Sequence, residues 1–219
     1  MRYYPVFLDL QNRSVLVVGG GPVAERKVIP LLEAGARVRV VSPNLTPRLR
    51  QMVAHGEIAH RPGRFHETDL DGVCLVIGAT GDVEVNARIA RAAERRRLFC
   101  NIVDAPSLSS FIAPAVITRG DILIAISTSG RSPALAVRLK REIAALIGQE
   151  YARLAELLGR WRAQITRLIP HQRRRARLFH QLVESDILEL LRAGCSSEAE
   201  QRVKELVERA ARENGSSSR

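Results

Sequence analysis

A glycine-rich turn near the start of the chain has the residue types that bind a dinucleotide phosphate. Gly19, Gly21 and Ala24 match the G-x-G-x-x-G/A pattern; they follow the apolar run 15–18 and precede a helix-length segment that ends at Gly35. In such a turn the first glycine permits a tight bend, the second lets phosphate oxygens approach the backbone, and the small third residue allows helix and strand to pack closely. Free N–H groups at the start of the helix then face the anion. In this context the motif predicts dinucleotide binding, and the alternative is a purely structural βαβ turn.

The segment after the second strand leaves the choice between NAD and NADP open. An acidic residue there would hold the ribose hydroxyls of NAD, whereas a nearby arginine would receive the additional phosphate of NADP. Ser42, Pro43 and Asn44 occupy this place instead. Arg48 follows a few residues later, either as a phosphate ligand or as a solvated charge on the next helix.

Two further strands bring polar residues to the edge of the sheet at which ligands bind. Residues 75–80 form a buried strand that ends in small residues and Thr80, and residues 98–103 form another that carries Asn101 and Asp104 to its carboxyl end. Ligands of open parallel sheets lie beyond these carboxyl ends. Thr80 therefore flanks the cofactor, unless the small residues beside it serve a close helix crossing. Asp104 is either an acid–base group or an acid that caps a loop.

Composition indicates a globular protein with an anionic ligand. The 219 residues are 46% apolar, which suffices for one domain of ordinary size and a smaller one. The formal net charge of +11 attracts an anionic partner. Aromatic residues make up only 4% of the chain, so recognition of single-stranded nucleic acid has little support. A small polycarboxylate or polyphosphate satisfies the same charge, and we expect no nucleic acid partner.

No motif predicts a membrane segment or a permanent metal site. Apolar runs stay below the roughly 18 residues of a membrane span, and the N-terminus lacks the basic-then-apolar order of a signal peptide. We therefore expect a cytoplasmic protein. Cys74, Cys100 and Cys195 lie far apart in sequence, and neither they nor the histidines form a ligand array. The sequence predicts buried, reduced thiols.

The order of the strand and helix patterns predicts an α/β chain in three parts. An N-terminal Rossmann-type parallel sheet spans residues 1–113, a small α+β unit spans 114–148, and a C-terminal helical domain spans 149–213. Residues 214–219 are expected to form a disordered polar tail. The small middle unit would be more stable against a partner subunit.

Local signals divide the second half of the chain further. Two strands joined at residues 119–121 predict a hairpin, and a hydroxyl-rich turn then leads into a helix that opens at Pro133. The helical domain breaks near Pro170 and Gly194. An arginine cluster at 173–177 is either a solvated helix face or the lining of an anion-binding cleft.

Five motifs together resemble one family over nearly the whole chain. They are VVGGGPVAERK at 17–27, LLEAGA at 31–36, CNIVDA at 100–105, SFIAP at 110–114 and ISTSGRSPA at 126–134. In this order the motifs resemble the precorrin-2 dehydrogenase family of siroheme synthesis, whose stand-alone enzymes correspond to the N-terminal half of bacterial siroheme synthase. The resemblance implies NAD-dependent oxidation of precorrin-2 to sirohydrochlorin and, in many members, insertion of ferrous iron as a co-substrate. It also implies a homodimer whose subunit contact is formed by the hairpin-containing unit at 114–148.

The resemblance assigns roles to individual residues. Asp104 matches the catalytic aspartate of the family and is expected to act as a general base. The positions that match the surroundings of NAD are Pro22, Val23, Pro43 and Asn44, to which the geometric argument adds Gly19, Gly21 and Thr80. The positions expected beside the tetrapyrrole substrate, a polycarboxylate, are Asn101, Ser127, Thr128, Ser129 and Arg131. Thr128 departs from relatives that have serine there. The alternative function is a non-catalytic regulatory module that senses the nicotinamide nucleotide.

Overall fold

The computed structural model describes residues 3–216, with side chains through Arg212. The chain divides into two compact units. One consists of Met1–Ala113 and Ser129–Arg131, and the other consists of Pro114–Thr128 and Ser132–Arg219.

A parallel sheet forms the centre of the first unit. Its strands are β1 (Ser14–Val18), β2 (Arg37–Ser42), β3 (Ala59–Pro62), β4 (Leu75–Gly78) and β5 (Phe99–Ile102), in the spatial order β3-β2-β1-β4-β5. The strand order reverses direction between β1 and β4, and open α/β sheets bind ligands at this switch point. The predicted Rossmann-type sheet is confirmed.

Three helices connect these strands. They are α1 (Pro22–Glu33), α2 (Pro47–Ala54) and α3 (Val83–Arg95). Proline occupies the first position of α1 and α2, where its missing N–H costs nothing, and the Asp82 carboxylate accepts hydrogen bonds from the first N–H groups of α3. Two apolar clusters fill the interior, one including Val17 and Val28 and the other including Leu16 and Ile89.

The second unit begins with the predicted hairpin. Strands β6 (Ala115–Arg119) and β7 (Ile122–Ile126) pair antiparallel, with Arg119 opposite Ile122, and Gly120 supplies the positive φ of +55° in the two-residue turn. Helix α4 (Pro133–Leu146) follows, and the Ser132 hydroxyl accepts a hydrogen bond from the Leu135 N–H at its start.

Helices make up the rest of the second unit. They are α5 (Gln149–Leu168), α6 (Gln172–Val183), α7 (Ile187–Arg192) and α8 (Ser196–Ser216). The predicted breaks near Pro170 and Gly194 are present. An additional break lies at Ser185, whose hydroxyl donates to the Leu182 carbonyl. Buried side chains such as Leu157, Leu182 and Val203 form a separate core in these helices.

Helix α8 continues through Ser216, past residue 214, where the sequence predicts a disordered tail. The preceding residues 208–213 are glutamate, arginine and alanine, which favour helix. Residues 217–219 lie outside the described part of the chain.

The prediction that the thiols are buried is right for one cysteine of three. Cys100 is only 4% exposed, whereas Cys74 and Cys195 are partly exposed. Burial raises the pKa of the Cys100 thiol to about 11. Cys100 lies in β5, covered by the core, whereas Cys74 precedes β4 and Cys195 follows α7, where the backbone turns at the surface.

The arginine cluster at 173–177 has a mixed character. Arg173, Arg174 and Arg177 are exposed on α6. Arg175 instead folds back, and its guanidinium donates to the carbonyl oxygens of Ile169 and Pro170. Arg175 thereby satisfies carbonyl groups at the end of α5, a role that a C-terminal cation commonly plays.

Candidate nucleotide-binding and active site

The first glycine of the turn joins two loops at the carboxyl edge of the sheet. The Gly19 N–H donates to the Val41 carbonyl at 2.9 Å. Gly19 has a φ of +121°, a backbone conformation that residues with a side chain rarely adopt. A Cβ at Gly19 would collide with the carbonyl of Ala79. The β1–α1 turn therefore lies directly against the segment that follows β4.

Gly20 has a comparable steric role, which the motif did not predict because its middle position accepts any residue. A Cβ there would collide with the carbonyl oxygen of Asn44, and the Thr46 N–H donates to the Gly20 carbonyl at 2.9 Å. The loop after β2 thus packs against the glycine turn. The sequence signal for this close approach was the run of three glycines, in which Gly20 lies between the two glycines of the motif.

Gly21 differs from both because it faces open space. No described atom lies within 4 Å of the position that a Cβ would take. Gly21 is the N-cap of α1, has no side chain to cap the helix, and is followed by Pro22 and Val23. An anion at this point would meet free N–H groups and the positive end of the helix dipole. The space and the donors fit a dinucleotide pyrophosphate.

The end of β2 lacks an acidic residue, but helix α1 supplies one. Ser42 is buried and its hydroxyl donates to the Asn44 carbonyl at 2.7 Å, while Pro43 and Asn44 are exposed. The Thr46 hydroxyl donates to Glu25 Oε2 at 2.7 Å. Glu25 was not among the predicted site residues, because it precedes Thr46 by 21 positions and follows the glycine motif rather than β2.

Thr80 organises the turn between β4 and α3. Its hydroxyl lies 2.8 Å from Asn86 Oδ1, and it accepts a hydrogen bond from the Asp82 N–H at 3.2 Å. The Asn86 amide donates in return to the Thr80 carbonyl at 3.0 Å. These bonds hold the turn that packs on Gly19, so Thr80 lies at the edge where the sequence places the cofactor.

Asp104 follows β5 at the same edge of the sheet. It is exposed and has a positive φ of +59°, a conformation that aspartate tolerates better than most residues. The Val103 N–H donates to the Gly78 carbonyl at 2.9 Å, which keeps this loop beside the end of β4. The carboxylate therefore lies one strand away from the switch point.

A frame of polar residues holds the Asp104 loop. Ser109 accepts from the Ile102 N–H at 2.9 Å, and Ser110 accepts from the Cys100 N–H at 2.8 Å. Asn101 is 8% exposed and donates from its amide to the Phe111 carbonyl at 3.0 Å. Asn101 thus supports this loop, in addition to the substrate contact predicted for it.

The serine-rich turn is divided between the two units. Thr128 belongs to the second unit with Ser127, and its hydroxyl accepts from the Ser132 N–H at 3.0 Å. Ser129 belongs to the first unit, has a φ of +55°, and is followed two positions later by the exposed Arg131. Ser129 and Arg131 therefore share a compact unit with the glycine turn and Asp104.

An ion pair with a buried carboxylate lies at the edge strand β3. Asp69 is 5% exposed; it accepts from Arg61 Nε at 2.6 Å and from the His66 N–H at 2.8 Å. Burial raises the pKa of Asp69, but the hydrogen bonds from Arg61 and His66 and the charges of Arg61 and Arg39 outweigh this effect and hold the pKa below its ordinary value. This pair links β3 to the segment before β4 and has a structural role.

The described residues include neither a cluster of metal ligands nor a helix that could span a membrane. Over residues 3–216, no group of three histidine, cysteine, aspartate or glutamate side chains could hold a metal ion. In the same part of the chain, no helix is long and apolar enough to cross a membrane.

Three family models match successive parts of this chain. Residues 6–115 match a model described as NAD(P)-binding, residues 119–146 match the sirohaem biosynthesis protein central region, and residues 150–207 match the sirohaem synthase dimerisation region. The chain belongs to the siroheme synthase and precorrin-2 dehydrogenase family. The resemblance of the sequence motifs to this family is confirmed, and so is a nucleotide-binding domain of the NAD(P) class.

Individual members of the family extend the comparison. The chain is 40% identical over 208 residues to a siroheme synthase of Thioalkalivibrio sulfidiphilus. The matched region covers 95% of this chain and 42% of that protein. It is 38% identical to siroheme synthase 1 of Serratia proteamaculans, again over 95% of this chain and 44% of the relative. The chain thus spans less than half the length of these relatives.

A solved structure of the family has the same fold. SirC, a precorrin-2 dehydrogenase, superposes with a TM-score of 0.77 and 29% identity, over 94% of this chain and 100% of that chain. The family model named for dimerisation matches residues 150–207, downstream of the 114–148 unit for which the subunit contact is predicted.

Proposed function

We propose that the protein oxidises precorrin-2 to sirohydrochlorin with NAD as the oxidant. The observation that carries the proposal is the position of Asp104, beyond β5 and at the same sheet edge as the open Gly21 turn. The fold also matches a precorrin-2 dehydrogenase along that protein's whole length. An acid–base residue and a nucleotide site at one edge are what a dehydrogenase requires.

The glycine turn and its two neighbouring loops would hold the nucleotide. The residues assigned to this role are Gly19, Gly21, Pro22, Val23, Pro43, Asn44 and Thr80. Bound NAD supplies a hydride acceptor. The open space at Gly21 admits phosphate oxygens, while the hydrogen bonds of Thr80 keep the β4–α3 turn against Gly19. The preference for NAD over NADP is part of the proposal.

Asp104 would accept the proton that accompanies oxidation. Loss of two hydrogens from the tetrapyrrole releases one hydride, which goes to the nucleotide, and one proton, which needs a base. Asp104 is exposed at this edge of the sheet, where a bound substrate could reach its carboxylate. Ser109 and Ser110 anchor its loop and would keep the carboxylate in place. If ferrous iron is inserted afterwards as a substrate, the same carboxylate would accept pyrrole N–H protons.

The tetrapyrrole would be recognised through its carboxylates. The net charge of +11 attracts a polyanion, and the guanidinium of Arg131 is a suitable donor for a carboxylate. The other proposed substrate neighbours are Asn101, Ser127, Thr128 and Ser129. The positive φ of Ser129 and the Thr128–Ser132 hydrogen bonds give this turn a defined shape.

We also infer a homodimer. The family model for dimerisation matches residues 150–207, and the hairpin unit leaves Val116, Leu123 and Val137 exposed by 38%, 47% and 62%. A two-stranded hairpin is marginal without further packing. The subunit contact is therefore proposed to include the 114–148 unit as well as the helices.

The test is anaerobic turnover of precorrin-2 with NAD or NADP, before iron is added. Reduced nucleotide and the sirohydrochlorin spectrum are recorded together, and Asp104→Asn is compared with Asp71→Asn, which removes an exposed aspartate elsewhere in the first unit. We expect Asp104→Asn to lower kcat by about 100- to 10,000-fold and to leave the Kd for NAD unchanged.

Two results would contradict the proposal. Turnover of Asp104→Asn within a few-fold of the unchanged protein would remove Asp104 from the chemistry. Nucleotide binding without any oxidation of precorrin-2 would favour the regulatory module that senses the nucleotide.

A further inference from the structure

Glu25 provides the negative charge that β2 does not, and we propose that it makes the site discriminate against the 2′-phosphate of NADP. This inference rests on the proposed function, because it concerns which nucleotide that site accepts. The residues involved are Glu25, Thr46 and Arg48, called here the Glu25 cluster.

The Glu25 cluster lies where the glycine turn meets the loop after β2. The Glu25 N–H donates to the Gly21 carbonyl at 3.0 Å, and the Thr46 N–H donates to the Gly20 carbonyl at 2.9 Å. The hydrogen bond from the Thr46 hydroxyl to Glu25, at 2.7 Å, closes the arrangement. In βαβ dinucleotide sites the end of the second strand is next to the adenosine ribose, so a carboxylate fixed here is near the 2′ position.

The cluster also occupies the arginine that would otherwise favour NADP. Arg48 Nη1 lies 3.8 Å from Glu25 Oε1, and the Arg48 side chain is 58% exposed while that of Glu25 is only 21% exposed. The Thr46 hydroxyl holds the Glu25 carboxylate in position, so Glu25 determines where the side chain of Arg48 lies. A 2′-phosphate approaching Arg48 would have to displace Glu25 or accept its repulsion.

Charge balance explains why a ribose hydroxyl is accepted and a phosphate is not. A hydroxyl donates a hydrogen bond to a carboxylate, whereas a phosphate carries about −1.5 to −2 charge and has acceptors at its oxygens. A single charge pair at about 4 Å in water changes an equilibrium constant by roughly fivefold. Removing the charge of Glu25 and releasing Arg48 act in the same direction, and two fivefold effects would give about 25-fold in the absence of salt. Salt screens the exposed Arg48, so about a tenfold change in the ratio of the two Kd values is expected.

The experiment measures the Kd of NAD and of NADP by calorimetry with the full chain, and needs no turnover. Glu25→Gln removes the charge and retains an oxygen that accepts from Thr46. Arg48→Gln is combined with it in a double variant. Glu33→Gln is the matched control, because it removes the same charge from the exposed last residue of α1. Thermal unfolding verifies that each variant is folded.

The expected result for Glu25→Gln is a roughly tenfold fall in the ratio of the NADP Kd to the NAD Kd. In the double variant this ratio should return toward that of the unchanged protein. In Glu33→Gln the ratio should not change. An unchanged ratio in folded Glu25→Gln, with the unchanged protein still binding NAD, would overturn this inference and leave the proposed function intact. Failure of the unchanged protein to bind either nucleotide would overturn the proposed function, and this inference with it.

Discussion

Alanine substitutions at Gly19 and Gly21 are expected to separate folding from nucleotide binding. At Gly19 a Cβ would approach the Ala79 carbonyl closer than real Cβ atoms do, and the residue would be held at a φ of +121°. Overpacking costs about 1–3 kcal/mol, and a side chain in a sparsely populated backbone region costs about 1–3 kcal/mol. We therefore expect Gly19→Ala to lower the free energy of unfolding by roughly 2–6 kcal/mol, a large part of the ~5–15 kcal/mol of a typical domain.

Gly21→Ala has a different expected effect. Its φ of −86° and ψ of −175° suit alanine, and no described atom lies within 4 Å of the new methyl group. The gain of about 0.4–1 kcal/mol from a less flexible unfolded chain offsets the weaker N-cap preference of alanine, so stability should change by less than about 0.5 kcal/mol. The methyl group would occupy the space proposed for phosphate oxygens, and we expect NAD to bind at least about tenfold more weakly, which corresponds to ~1.4 kcal/mol.

Urea unfolding followed by circular dichroism measures the first effect, and calorimetric titration with NAD measures the second. The fluorescence of Trp161 in α5 reports separately on the helical unit. The steric argument is wrong if Gly19→Ala is as stable as the unchanged protein. The binding argument is refuted if Gly21→Ala keeps the NAD affinity, or if it loses stability as Gly19→Ala does.

Two further predictions concern buried titratable groups. Because the pKa of Asp69 in the folded protein is lowered from its ordinary value, its carboxylate contributes stability that is fully present above the unfolded-state pKa. This contribution disappears as the pH falls through the folded-state pKa. Asp69→Asn should lower the free energy of unfolding by about 1–3 kcal/mol at neutral pH. It should also weaken the loss of stability at acidic pH, as measured by urea unfolding at a series of pH values. The same acid dependence in Asp69→Asn and the unchanged protein, or an equal loss of stability in the exposed Asp71→Asn, would contradict this. Cys100, with a pKa of about 11, should resist alkylation at pH 8 in the folded protein. Cys74 and Cys195 are partly exposed and should react first in a mass-spectrometric time course. Early labelling of Cys100 would refute its burial.

Local patterns predicted most elements of the fold. The apolar run before Gly19 predicted β1, and the two-residue turn at Gly120 predicted the β6–β7 pairing, because strand periodicity and turn chemistry depend on adjacent residues. The break at Ser185 was missed, since no glycine or proline marks it. Residues 214–216 extend α8 past the predicted boundary, although their own helix propensity is low.

The candidate site was predictable where its residues belong to a contiguous motif. Gly19 and Gly21 follow from the spacing alone. The place of Asp104 after a buried strand allows either a base or a loop cap, and the resemblance to the family is what favours the base. The role of Gly20 was not predictable, because it depends on the backbone of Asn44, a residue in another loop. Likewise, Ser109 supports the Asp104 loop through a bond to the Ile102 backbone.

The amino-acid sequence thus carries the signals of the individual strands and helices and the glycine turn, since these depend on short-range spacing. Its motifs also carry the family resemblance from which Asp104 is named as the candidate base. The folded chain adds the contacts across that spacing: the Ala79 carbonyl against Gly19, the polar frame around Asp104, and the carboxylate of Glu25 held beside Arg48. These arise because parallel strands bring loops from distant parts of the chain to one edge of the sheet. Charge and steric complementarity at that edge depend on which loops become neighbours, and no local pattern encodes the distance between them.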